Sequence, residues 1–408
     1  MGQGLTASTS PPATAPSPQI GVPFDWSGEY LRRRSLPEAN EEQRFVKYQQ
    51  LSSLYQNFLH FAVTYGKIII SERYIEKKYK TIKPLADSHS GVAGGEKYQY
   101  LGIFFKFACD NRGLHGDDHY AAKVGGHELK SAMRFANIRE LNVPLMALID
   151  YRGFRLVAMS WVPAQGERSI AYGSCDPRKS VVHRDDADLA RIIEGAARAM
   201  HLKPHVCGSA RKQVLAMPVD FEAHRVLDSQ GHKHFYGLDF ARVFPPACDT
   251  ATPFDPLPNT YLVRLLRPEF VRVYPKPLCS DAFSKFTCPN HKDRVRREMA
   301  EEHDNEIDEA TEFLTGEVVP RFAERLVKLP PEKRASFPLI MLLHEAGINC
   351  RYLGLLCGHV ANRKDAYWST VLLIEMVARV IKTDLRTLLR RKIHELRHPG
   401  ECAYRDAV

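Results

Sequence analysis

A chain of 408 residues that is 44% apolar can bury a sizeable core, and 26% charged residues exclude a collagen-like or low-complexity polymer. A formal charge of +9 favours acidic partners, either nucleic acid or an anionic membrane surface. Nine cysteines scattered singly, with no Cys-x-x-Cys, exclude a zinc ribbon or redox pair and fit a reducing, cytosolic compartment, while the lack of 18 uninterrupted apolar residues excludes a transmembrane helix.

Residues 1–22 are Ser, Thr, Pro, Ala and Gly with almost nothing to bury, and are expected to be disordered. Met-Gly-Gln-Gly-Leu-Thr at the start fits a myristoylation signal, with Gly2 as acceptor. One acyl chain binds membranes only marginally, so Arg32, Arg33 and Arg34 would have to add a basic signal. Residues 23–83 read as a helical and strand extension. A helix is expected at 41–64, where Phe45, Tyr48, Leu51, Tyr55, Phe58 and Phe61 recur at helical spacing and read as core, followed by a short strand at Lys67-Ile-Ile-Ile.

A Gly- and Ser-rich loop at 84–96 precedes a buried strand from Tyr98 to Cys109. A helix follows at 118–139, then strands at 145–151 and 154–162 joined by the turn Tyr151-Arg152-Gly153, then a helix at 188–202. The unit Asp220–Pro246 holds two short strands around Asp-Ser-Gln-Gly. Helices are expected at 303–328, 335–345 and 367–396, with Gly347 ending the middle one. The expected division is an α+β domain at 84–295, an all-helical part at 296–400 and a tail at 401–408.

The strand–helix–hairpin–helix–loop order is that of a protein kinase core, so the fold class expected is a kinase-like, two-lobed mixed domain followed by helices. Kinase chemistry needs a strand lysine paired with a helix glutamate, a catalytic-loop aspartate and a metal-holding aspartate. Lys106, Glu128, Asp220 and Asp239 come in that order. Yet Met217-Pro-Val precedes Asp220 in place of His-Arg, His224 and Arg225 stand where the second metal ligand would be, and Ala241 follows Asp239-Phe240 where glycine belongs. Such a site implies ATP and magnesium only if it is active; otherwise no residue is catalytic and no cofactor is required. The structural alternative is that Glu128 pairs with Lys106 or Lys123 to hold helix to sheet, and that Asp150 caps a hairpin turn.

Longer words point elsewhere. Ala-Ala-Lys-Val-Gly-Gly-His-Glu-Leu-Lys at 121–130, Pro-Leu-Met-Ala-Leu-Ile-Asp-Tyr-Arg-Gly-Phe-Arg-Leu-Val-Ala-Met-Ser at 144–160 and Tyr-Gly-Ser at 172–174 are three of them. With the segment 236–246, Leu-Arg-Pro-Glu-Phe-Val at 266–271, Gly-Ile-Asn-Cys-Arg-Tyr-Leu-Gly at 347–354 and Leu-Ile-Glu-Met-Val-Ala-Arg at 373–379, they resemble the Clu domain of the clustered-mitochondria family. The resemblance implies a non-enzymatic, cytoplasmic protein near the mitochondrial surface that binds mRNA, not DNA, and takes part in mitochondrial distribution. Large members of that family carry tetratricopeptide repeats, and no repeat of that period is found here.

For RNA contact the residues themselves offer Arg379, Lys382, Arg386, Arg390, Arg391 and Lys392, with Leu385, Leu388, Leu389 and Ile393 expected to face inward. A helical basic stripe suits a phosphate backbone, though a charge run is also an ordinary solvated face. Lys292, Arg294, Arg296 and Arg297 form a second basic group, and Tyr352, Tyr367 and Trp368 could stack on bases or pack in the core. His115-Gly-Asp-Asp-His119 has ligand-type side chains but reads as a solvated loop, so no metal site is assigned.

Overall fold

The computed structural model describes residues 16–86, 94–248, 259–290 and 292–395. Gly2 and the tail at 401–408 lie outside the described residues.

Helix α1 (Trp26–Arg34) starts where the Asp25 side chain accepts from the Gly28 N–H, and α2 (Glu41–Ser71) where Asn40 accepts from the Gln43 N–H. α2 runs through 67–70, where a strand was expected: the apolar triplet continues the buried face of the helix, with Ile69 and Ile70 inside. The aromatic stripe divides as well. Leu54, Phe58 and Phe61 are buried, whereas Phe45, Tyr48 and Tyr55 are exposed, because only the later turns of α2 lie over the sheet.

That sheet has the order β1-β2-β5-β4, all antiparallel, from β1 (Lys97–Tyr100), β2 (Ile103–Phe107), β4 (Met146–Tyr151) and β5 (Phe154–Ser160). The single strand expected at 98–109 is a hairpin, since Leu101 and Gly102 turn at positive φ. Helix α3 (Asp118–Phe135), N-capped by Asp117, lies between β2 and the short β3 (Leu141–Asn142).

A second sheet, β3-β11-β10-β6-β7, uses β6 (Ile170–Gly173), β7 (His183–Arg184), β10 (Glu222–Leu227) and β11 (Lys233–Leu238). α4 (Ala187–Ala199) and the pair β8 (His205–Cys207) and β9 (Gln213–Leu215) intervene in sequence. Helices follow: α5 (Pro268–Val273), α6 (Arg294–Phe313), α7 (Val319–Val327), α8 (Pro331–Arg334), α9 (Leu339–Glu345), α10 (Leu353–Ala361) and α11 (Ala366–Glu395). A π-helical turn at Leu314–Val318 joins α6 to α7 into one longer rod than the expected 303–328, which Asp293 starts early by accepting from the Arg296 N–H. Gly347, at φ +77, ends α9 as expected. The architecture is thus mixed helix and sheet with a helical C-terminal part.

Two buried clusters organise it. One joins Trp26 and α2 to the first sheet and takes in Leu389 and Ile393 of α11; the other runs from Phe135 through the second sheet, Phe270 and Ile307 to Trp368 and Leu372. α11 therefore packs in both.

The C-terminal half of α11 rests on the β4–β5 turn. Arg386 Nη2 donates to Asp150 Oδ2 at 2.7 Å and Arg390 Nη1 to the Gly153 carbonyl at 3.0 Å. Gly153 has φ +81, and a Cβ there would collide with the Arg386 carbonyl. Gly153→Ala should therefore lower stability by roughly 1–3 kcal/mol in urea unfolding, through backbone strain and a displaced α11. An unchanged midpoint would mean that the helix end is not held by this turn.

Candidate functional site

Lys106 stands on β2 and Glu128 on α3, and their side chains meet at 3.1 Å. Glu128 is 5% exposed and Lys106 28%, and the pair joins α3 to β2. Lys106 also lies 3.9 Å from Asp239, the first residue after β11. Burial alone would lower the Lys106 pKa, but Glu128 and Asp239 raise it.

Asp239 sits at φ +56, a left-handed conformation that a β-branched or bulky residue would avoid. Its side chain is 52% exposed. Partial burial, followed by Glu222, Glu128 and Asp220, pushes its pKa up to about 7 against the pull of Lys106. Glu222 is close because the β10–β11 register sets it opposite Leu238.

Asp220 behaves differently. Arg242 grips its carboxylate with two hydrogen bonds, Nε to Oδ2 at 2.7 Å and Nη2 to Oδ1 at 2.8 Å. The same Nη2 donates to Asp281 Oδ1 at 2.7 Å. Asp281, fully buried, accepts further from the Val219 N–H at 2.8 Å and from His205 Nε2 at 2.9 Å. Burial would raise Asp281, but Arg242, His205 and the Val219 amide hold it well below the usual carboxylate range. Each Asp220 oxygen thus accepts one bond from the guanidinium, whose charge favours the ionised carboxylate and disfavours a proton or a second cation there.

Sequence reasoning missed Arg242 and Asp281. The signal was present in Leu-Asp-Phe-Ala-Arg, where an arginine three residues past an aspartate enters a run that is otherwise buried. It also missed that His205, Cys207 and Asp281 bring one ligand-type atom each within 4.8 Å of the others, the one such group among the described residues. Asp281 is there committed to Arg242 and Val219. The segment His115–His119 is not the solvated loop expected: His115 is buried, Asp117 caps α3, and Asp118 and His119 form its first turn, Asp118 accepting from the Asp110 N–H.

The expected basic stripe on α11 is divided. Arg386 and Arg390 turn inward onto Asp150, Gly153 and Asp118, and Arg379 pairs with Glu375 at 3.3 Å. Lys392 lies 3.7 Å from Glu395, while Lys382 and Arg391 are exposed. Leu389 and Ile393 are buried as expected, but Leu385 is exposed, since the buried face follows the hairpin contact. Arg296 is a buried clamp on the carbonyls of Gly208, Val206 and Phe286, and Trp368 and Tyr352 are core residues. Near the N-terminus, Arg33 binds the Gln50 and Pro16 carbonyls, Arg34 those of Leu141 and Ile138, and Arg32 pairs with Glu29.

The family model described as "Clustered mitochondria" matches residues 25–249, more than half of the chain. The chain belongs to the clustered-mitochondria family. Its segment 336–402 also matches the model "Translation initiation factor eIF3 subunit 135". Among curated proteins it is similar to the "Clustered mitochondria protein homolog" of Neosartorya fischeri, 24% identical over 90% of this chain and 32% of that protein. The Dictyostelium discoideum homolog is 23% identical over 91% of this chain and 32% of its own length, and the Caenorhabditis briggsae homolog 27% over 55% and 18%. The chain thus spans about a third or less of these relatives. No solved structure matches it. Among the described residues, no helix is long and apolar enough to cross a membrane.

The raised pKa of Asp239 has a consequence for stability. A carboxyl that holds its proton more tightly folded than unfolded costs stability as pH rises from its unfolded value, near 4, to about 7. Asp239→Asn should therefore raise the melting temperature at pH 8 and leave it unchanged near pH 3. A variant less stable than the parent at pH 8 would show instead that the ion pair with Lys106 outweighs the crowding of carboxylates.

Proposed function

We propose that this protein is a non-catalytic Clu-domain adaptor that binds mRNA and takes part in mitochondrial distribution, working in the cytoplasm near the mitochondrial surface. Membership of the clustered-mitochondria family supports the mitochondrial role. The match of 336–402 to a translation-factor family supports a link to RNA. The observation that carries the non-catalytic reading is the double hydrogen bond from Arg242 to Asp220, which occupies the carboxylate a phosphoryl-transfer site would need as its base.

The framework is read as kinase-like. A strand lysine pairs with a glutamate on the helix that follows, the sheet order β1-β2-β5-β4 places the next two strands beside it, and an aspartate in left-handed conformation follows the β10–β11 hairpin. RNA contact is assigned to cationic surface, with Lys382 and Arg391 the outward-facing members of α11. In this reading Lys106, Glu128 and Asp239 are architecture.

Ultraviolet crosslinking in cells, with sequencing of the recovered RNA, tests the adaptor reading. Enrichment of transcripts for mitochondrial proteins is the expected result, and no RNA above background would remove it.

One observation favours a second reading, nucleotide binding: the gathering of Glu128 and Asp239 around the Lys106 ammonium. It predicts a magnesium-dependent thermal shift with ATP that Asp239→Asn abolishes. The adaptor reading expects no shift with either protein.

A further inference from the structure

Helix α3 carries Lys123, His127, Lys130 and Arg134 at i, i+4, i+7 and i+11, one face of a helix and about 16 Å of it. The segment before α5 lies beside this face. His127 Nε2 meets the Val263 carbonyl at 3.3 Å, and Arg134 pairs with Glu269 at 2.9 Å. That segment supplies Arg264 and Arg267, and the turn before α10 supplies Arg351, whose guanidinium donates to the Leu265 carbonyl at 3.2 Å. Three separate stretches of chain thus deliver cations to one place.

For the cations other than Arg264, counter-charge among the described residues is thin. Glu269 serves both Arg134 and Arg267, and neither Lys123 nor Lys130 forms an ion pair among the described residues. The crowding is felt by the lysines. Burial first, then Arg351 and Arg264, lower Lys123 to about 8, and burial with Arg267 lowers Lys130. His127, pushed down to about 4, is neutral at physiological pH.

We infer that the face formed by Lys123, Lys130 and Arg134 with Arg267 and Arg351 is a phosphate-binding surface, and that it takes the backbone of an RNA strand. This rests on the RNA-binding reading above and supplies its interface. An anionic membrane is the less fitting polyanion. Membrane-binding cations are flexible and protrude, whereas Arg351 and Arg267 are tethered to the carbonyls of Leu265 and His344. Tethered guanidiniums flanked by exposed lysines suit phosphates arriving in a row.

The test is fluorescence anisotropy of a labelled, unstructured RNA oligonucleotide across a salt series, with the full chain. Lys123→Glu/Lys130→Glu should bind at least about tenfold more weakly, with a log K versus log salt slope shallower by about 1.4, two contacts' worth for a single strand. Lys123→Arg/Lys130→Arg should bind as the parent does. Melting curves check that each variant folds, and Lys123→Ala/Lys130→Ala replaces the Glu variant if it does not. Parent-like affinity and slope in the reversed or Ala variant would overturn this surface and leave RNA binding intact. A parent protein that binds no RNA would sink the RNA-binding reading itself. Binding to phosphatidylserine vesicles in place of RNA would overturn the surface's assignment to RNA.

Discussion

Arg242 is the residue around which the second sheet is arranged. It is buried, and it joins the carboxylate before β10, the carboxylate at 281 and, through Asp281, the backbone of Val219 and the ring of His205. Three stretches of chain remote in sequence, at 205, 219–220 and 281, meet at one guanidinium. Its remaining faces lie against Tyr261 and Phe286, at 5.6 and 5.2 Å from the ring centroids. A buried charge survives only when paired, and losing one partner of such a group typically costs about 3–5 kcal/mol. His205 belongs to the same balance. Burial would lower its pKa, yet the Cys279 and Cys207 sulfurs and the Asp281 carboxylate raise it well above the ordinary value.

Fixing Asp220 in this way separates the two aspartates that the sequence presents as a pair. Asp220 is bound by Arg242. Asp239, the first residue after β11, is left among carboxylates, with Lys106 as its ion-pair partner at 3.9 Å. The Lys106–Glu128 pair then has a mechanical role at least: it ties α3 to β2, and α3 in turn presents its opposite, cationic face outward.

The β4–β5 hairpin, the β10–β11 hairpin, α3, α4 and the Gly347 stop were legible because each has a local cause: a turn glycine, an alternating strand, a capping aspartate. The Lys106–Glu128 pairing was legible as one of two alternatives. Segments whose fate is set by remote contacts were not. Lys67–Ile70 is as strand-like as any run in the chain, and it is helical because α2 continues over Ile149 and Leu156 of the first sheet. Phe45 and Tyr48 share a spacing with Phe58 but are exposed, and Tyr55, exposed as well, reaches the sheet only through its hydroxyl, which donates to the Met146 carbonyl at 3.3 Å. The grip of Arg242 on Asp220 spans 22 residues, and its grip on Asp281 another 39. No periodicity reports such a contact.

The same limit governs the basic residues. A count of charges along α11 treats Arg386 and Arg390 as surface, whereas the fold brings Asp150, Gly153 and Asp118 to them and consumes their donors in docking. On α3 the cations are spread more thinly in sequence, interrupted by glycines and by the buried Glu128, and no run stands out. Folding shifts the ranking: it subtracts charge from α11 by pairing Arg386 and Arg390, and among the described residues it leaves Lys123 and Lys130 of α3 outside any ion pair, with Arg351 alongside. What a polyanion meets is the remainder after internal pairing, and the RNA surface inferred on α3 is drawn from that remainder rather than from the longest run of charge.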